Sequence, residues 1–258
     1  MPSSAGPGPD ARNAFLAADI EQRLRAAGNP DRAVAERAYL KSSMEFAGVG
    51  LPGLRRIVRA LLPRRPTMAR DSLLAVVTEL WARPLFECRL AASMLLGDHA
   101  EALIPADAAL LERLIRQAGT WALVDELAPV VMGGLVERYP ELTAVLDRWA
   151  ADEDFWVRRA ALLSLLRPLR RGEGDFDRFA RYADTMLTER EFFIRKAIGW
   201  VLRDTGRRRP GLVGAWLEPR IGQVSGVTLR EAVKPLPPET AARLLAAYRA
   251  RGRALRAQ

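Results

Sequence analysis

Cysteine occurs once in this chain, at Cys88, and histidine once, at His99. A single thiol excludes an intramolecular disulfide and any cysteine-based zinc site. A single imidazole argues against a histidine-rich metal centre and against a Ser-His-Asp triad, and His99 reads as an ordinary loop residue. No apolar run reaches the ~20 residues that a membrane-spanning helix needs. The opening "MPSSAGPGPDAR" lacks the apolar core of a secretory signal, so residues 1–12 read as a disordered tail and the protein as cytoplasmic. Lysine is scarce too. Lys41, Lys196 and Lys234 are the only lysines among 40 basic residues, which face 31 acidic ones for a net charge of +9. Such a surplus suits a polyanionic partner. An arginine-heavy surplus also arises from genomic base composition alone, so charge leaves both readings open.

What is present is helix. Apolar residues recur at three- and four-residue spacings with no sustained alternation. The pattern predicts helices over 31–46, 51–62, 69–82, 85–97, 120–138, 154–168, 190–205 and 238–254, among others. Turn punctuation separates them, as in "GNPD" at 28–31, "GVGLPG" at 48–53 and "RRGEGD" at 170–175. No Gly-Ser linker divides the chain, so residues 13–254 are expected to form one domain.

A repeat underlies the pattern. "FECRLAASMLL" begins at Phe86, "FWVRRAALLSLL" at Phe155 and "FFIRKAIGWVL" at Phe192. Each aromatic is followed by Arg three residues on (Arg89, Arg158, Arg195), Ala five on (Ala91, Ala160, Ala197) and Leu ten on (Leu96, Leu165, Leu202). Trp121 falls where a further unit should begin, so the starts run 86, 121, 155 and 192. Two helices per unit at this period are the mark of an α-solenoid, which presents a concave face. The expected fold is therefore all-α, a solenoid of helical repeats whose concave basic face receives the partner.

The register also sorts the faces. At about 100° per residue, positions five, six, nine and ten share one side, apolar in nearly every unit, and pack inward. Position four lies opposite. Its occupants are Leu90, Asp125, Arg159 and Lys196. Trp121, Trp200 and Arg203 lie near the same line. One wall is thus expected to gather Asp125, Arg159 and Lys196 with two tryptophans. Cations suit phosphates, and aromatic faces suit sugars and cationic rings. A carboxylate among them repels a nucleic-acid backbone unless a positive species forms beside it, and an oxocarbenium ion is such a species. The alternative is that Asp125 only pairs with Arg159 or caps a local structure.

Several segments together resemble the AlkD-type DNA alkylation-repair glycosylases, a family built from HEAT-like helical repeats. They are "YLKSSMEFAGVGLPGLRRIV" (39–58), "LWARPLFECRLAA" (80–92), "WALVDELAPVVMG" (121–133), "WVRRAALLSL" (156–165) and "EFFIRKAIGWVLRD" (191–204). The likeness extends over about residues 31–235. It implies hydrolysis of the N-glycosidic bond of N3- and N7-alkylated purines in double-stranded DNA, in base excision repair, with no metal and no cofactor. By the same likeness Asp125 after Trp121 is the catalytic aspartate, and Trp200 is a second pocket tryptophan. Arg159, Arg203, Lys196, Tyr39 and Lys41 become DNA contacts. The family commonly has paired tryptophans and an acid ahead of that aspartate, where this chain has Thr120-Trp121-Ala122. The implied partner is duplex DNA carrying alkylated purines, engaged by a monomer away from membranes and associated with the nucleoid when bound.

Other residues have plainer readings. Trp81, Trp149 and Trp216 are expected to pack, Trp156 to be a core or rim aromatic, and Cys88 a buried thiol. The arginine runs at 64–66 and 207–209 read equally as solvated loop charge or as phosphate contacts. Two further functions compete with the glycosylase: a catalytically silent binder of DNA structures, and a HEAT-type protein-interaction scaffold.

Overall fold

The computed structural model describes residues 9–61 and 68–254. Helices dominate, and no strand occurs among the described residues. None of their helices is long and apolar enough to cross a membrane. The arginines at 64–66 lie outside the described residues, as do residues 1–8 of the expected tail; Pro9 already starts a helix. The chain groups into two compact units, Met1–Leu127 and Ala128–Gln258.

The first unit contains α1 (Pro9–Ala26), α2 (Pro30–Leu40), α3 (Leu51–Leu61), α4 (Arg70–Trp81), α5 (Phe86–Asp98), α6 (Ala108–Gln117) and α7 (Trp121–Glu126). α4 packs against both α1 and α5. Ala17, Ile20 and Leu24 line the inner face of α1 at spacings of three and four, and Leu73, Val76, Val77 and Leu80 do the same on α4. α2 is different, with no buried residue. Its ends hold it: the Asn29 side chain accepts from the Arg32 amide at 2.9 Å, and Pro30 pre-sets the first turn.

The second unit contains α8 (Gly133–Arg138), α9 (Thr143–Ala150), α10 (Phe155–Ser164), α11 (Leu166–Arg170), α12 (Phe176–Met186), α13 (Phe192–Gly206), α14 (Pro210–Leu217), α15 (Gly226–Ala232) and α16 (Pro238–Ala254). Acidic caps start its repeat helices: Asp154 accepts from the Trp156 amide at 2.8 Å, and Glu191 from the Phe193 amide at 3.1 Å. Around α13 the packing is tight. At Gly199 a Cβ would stand 3.0 Å from the Glu231 Cβ and 3.1 Å from the Thr228 carbonyl oxygen, so glycine lets α13 and α15 approach closely.

The repeat register is visible in the burial. Ala91, Ala160 and Ala197 are fully buried, as are Leu96 and Leu202. Three helix expectations need correction. The helix expected over 154–168 is divided at Leu165 into α10 and α11, and Pro168, which has no N–H to donate, lies just inside α11. The helix expected over 31–46 stops at Leu40, because Lys41 takes the left-handed conformation (φ 49°, ψ 40°) and returns its amide to the Arg37 carbonyl. The helix expected over 120–138 is continuous only with a π-helical stretch, Leu127–Met132, in its middle. Pro129 lies inside that stretch; it has no N–H to donate, and the wider turn accommodates its ring.

Candidate active site

In the first unit the candidate residues gather at the start of α7. Gly119 turns the chain with φ 62°, Thr120 is extended, and Trp121 opens the helix. Asp125 follows one turn later, on the same face by helical spacing; both side chains are half-buried. The Tyr39 ring stands edge-on to the Trp121 indole at 5.8 Å and 87°. Tyr39 is itself 73% exposed on the last turn of α2. Lys41 is exposed two residues on, at the left-handed cap. Next to Asp125, burial pushes the Glu126 carboxyl up; Arg55 opposes that rise and Asp98 adds to it.

A residue that the sequence reading passed over fixes this corner. Glu87 of α5 is 1% exposed and accepts three backbone hydrogen bonds from the loop after α2, from Ala47 at 3.1 Å, Gly48 at 2.7 Å and Val49 at 3.1 Å. Gly48 has φ 78°, and a Cβ there would stand 2.1 Å from the Asn29 carbonyl oxygen. Phe46 stacks on Phe86 at 4.8 Å. The segment that follows Tyr39 and Lys41 is therefore tied to α5. No local sequence signal announces Glu87, because its partners are about forty residues away.

In the second unit the candidates share one side of α13. Lys196, Trp200 and Arg203 are all half-buried. Their cationic groups meet acids of the same unit. Arg203 donates to Glu231 of α15 at 2.5 Å and to Asp204 at 3.2 Å, and the Lys196 ammonium lies 3.9 Å from Glu231. Lys234 reaches Glu231 at 2.8 Å. These contacts, that of Lys234 first, hold the Glu231 carboxyl below its ordinary range against the effect of burial. The indole N–H of Trp200 donates to Asp204 at 3.1 Å. Asp204 and Glu231 were not foreseen, the latter because it lies 28 residues beyond Arg203.

Arg159 does not stand on the solvent side where the register put it. It is 3% exposed. Its guanidinium donates to the Phe193 carbonyl oxygen and lies 6.0 Å from the Phe193 ring, so aromatic packing draws position four of α10 inward. Trp156 lies between Phe155 and Phe193, at 4.4 and 5.1 Å, as a half-buried rim aromatic. Trp81, Trp149 and Trp216 are buried packing residues. Cys88 is fully buried and its thiol is pushed up to about 12 by desolvation, which makes it inert. His99 is not an ordinary loop residue: it is 2% exposed, and its Nδ1 accepts from the Met68 amide at 3.4 Å. Arg207 and Arg208 are exposed. Among the described residues no group of three or more His, Cys, Asp or Glu side chains could hold a metal ion.

Comparison with solved structures gives the fold a context. The chain is similar to a predicted DNA alkylation repair enzyme from Enterococcus faecalis, with TM-score 0.74 and 24% identity, over 82% of this chain and 97% of that one. It is similar to the smu.31 protein of Streptococcus mutans UA159, with TM-score 0.57 and 15% identity, over 89% and 100% of the two chains. A weaker match is the Pseudomonas fluorescens alkylpurine DNA glycosylase AlkC bound to DNA containing an abasic site analogue, with TM-score 0.49 and 15% identity, over 93% and 69%. No curated protein matches the sequence significantly. In sequence, residues 20–236 match the model of one family throughout, and the chain belongs to that family, the DNA alkylation repair enzymes.

Proposed function

We propose that this family member is a DNA glycosylase that hydrolyses the N-glycosidic bond of cationic N3- and N7-alkylated purines in duplex DNA. The observation that carries the reading is the pairing of a half-buried carboxylate, Asp125, with an indole, Trp121, one turn before it and braced by Tyr39. Alkylation makes the purine a good leaving group. As the C1′–N bond breaks, its electron pair leaves with the base and positive charge develops on the sugar. Asp125 opposes that charge and orients the water that adds to C1′, taking up its proton. The rings of Trp121 and Trp200 are suited to pack on deoxyribose and exclude solvent, with cation–π attraction of about 0.5–2 kcal/mol. Lys41, Lys196 and Arg203 are the phosphate-facing cations of this reading. Arg159, being buried, serves it by anchoring Phe193 rather than by touching a phosphate.

The test is incubation of the protein with methylated duplex DNA and chromatography of the released bases. Free 3-methyladenine or 7-methylguanine is expected. Tight, salt-sensitive DNA binding without base release would favour the silent binder, and no DNA binding would favour the protein scaffold.

A further inference from the structure

Asp204 is a carboxylate that the glycosylase reading leaves without a task. It is 3% exposed, and burial of an acid is costly unless its oxygens are filled. They are filled from three sides. Oδ2 accepts from the Trp200 indole at 3.1 Å and from Arg170 of α11 at 2.9 and 2.6 Å. Oδ1 accepts from Arg203 Nε at 3.2 Å. Two of these three donors are residues that the proposed function places against DNA, and the third comes from outside α13 as a clamp. Arg170 is about half exposed and well placed for that role at the surface.

We infer that Asp204 is a positioning residue that sets the Trp200 ring and the Arg203 guanidinium as one unit and makes the indole a better partner for positive charge. The inference rests on the proposed function. A hydrogen bond from an indole N–H to an anion fixes the ring's orientation. It also shifts electron density onto the ring, which strengthens attraction to a cation at its face. The same carboxylate turns the Arg203 fork toward Glu231, so the ring and the cation move together or not at all. A carboxylate here therefore affects sugar-cation recognition without touching the substrate.

The probes are two duplexes, one with a cationic pyrrolidine abasic analogue and one with the neutral tetrahydrofuran analogue. The parent is expected to prefer the cationic duplex. Asp204→Asn keeps the shape and loses the charge, and should cut that preference by about 3- to 10-fold. Trp200→Phe should cut it similarly, and the double variant should lose little more, because both act through one ring. A purely structural role would lower stability and binding to both duplexes alike. The indole resonance missing from Trp200→Phe identifies the Trp200 N–H in the parent spectrum, where slow exchange with solvent is expected. Free-indole exchange there would overturn the inference even if Asp204→Asn did not fold. A folded Asp204→Asn with the parent's preference would also overturn it. If the parent releases no alkylated base, the glycosylase reading itself falls; release of base by a parent whose Asp204→Asn variant keeps its preference sinks only the role of Asp204.

Discussion

Glu87 in the first unit and Asp204 in the second are both almost fully buried, and they are satisfied by opposite means. Glu87 takes three backbone amides and keeps a loop in place. Asp204 takes two arginines and an indole, all side chains. A carboxylate held by amides fixes backbone, whereas one held by side chains fixes functional groups. In the first unit Tyr39 and Lys41 accordingly lie beside a pinned segment. In the second, the cations of α13 come with acids already attached.

The comparison can be broken at several points. The largest expected effect is on stability: Glu87→Ala strands three amide donors, and should cost about 3 kcal/mol or more in chemical denaturation. A loss under 1 kcal/mol would show that the loop finds other partners. Next comes the half-buried acid of the first unit. Asp125→Asn should slow base release by about 10²-fold while DNA affinity holds or rises. Parent rates in a folded Asp125→Asn protein would remove Asp125 from the chemistry. Third is the acid shared by the α13 cations. Glu231→Gln should raise affinity for any duplex by about 3-fold, since it leaves Lys196 and Arg203 less occupied. Glu231 titrates below its ordinary value of 4.5 in the fold. Its stabilising contribution is thus present above that value and is lost as pH falls through the lowered one, so Glu231→Gln should flatten the acid limb of the stability curve. Equal acid sensitivity in variant and parent would contradict the pairing. The smallest effect is expected at Lys41. Lys41→Ala should reduce the slope of log affinity against log salt by about 1, with little change in stability.

Helix class and most boundaries were legible in the sequence because they follow from local periodicity and punctuation. The alanines and leucines at positions five and ten of the repeats that begin at 86, 155 and 192 are buried as the register required. The early end of α2 was not legible, because a lysine in a left-handed cap gives no signal. Nor was the π-helical turn, although Pro129 was in plain view: a proline can end, kink or widen a helix, and packing decides which. At the candidate site, periodicity put Lys196, Trp200 and Arg203 on one side of α13, as found. It misplaced Arg159, because burial at position four is set by Phe193, 34 residues away. Glu87, Asp204 and Glu231 share that cause, since their main partners or their consequences lie across the fold rather than along the chain.

The cluster around Glu231 has a practical consequence. Two of the chain's three lysines, Lys196 and Lys234, lean on that one carboxylate, and the third, Lys41, stands at the end of α2. Acylating reagents therefore have only three side-chain amines to find, all of them among the described residues. Mass spectrometry of the acylated protein would report on α2 and on α13 with α15 separately, with no label engineered in. For the same reason, immobilising the protein through Lys41 or Lys196 would tether it by groups expected to meet DNA, and a sensor assay built that way would measure its own chemistry.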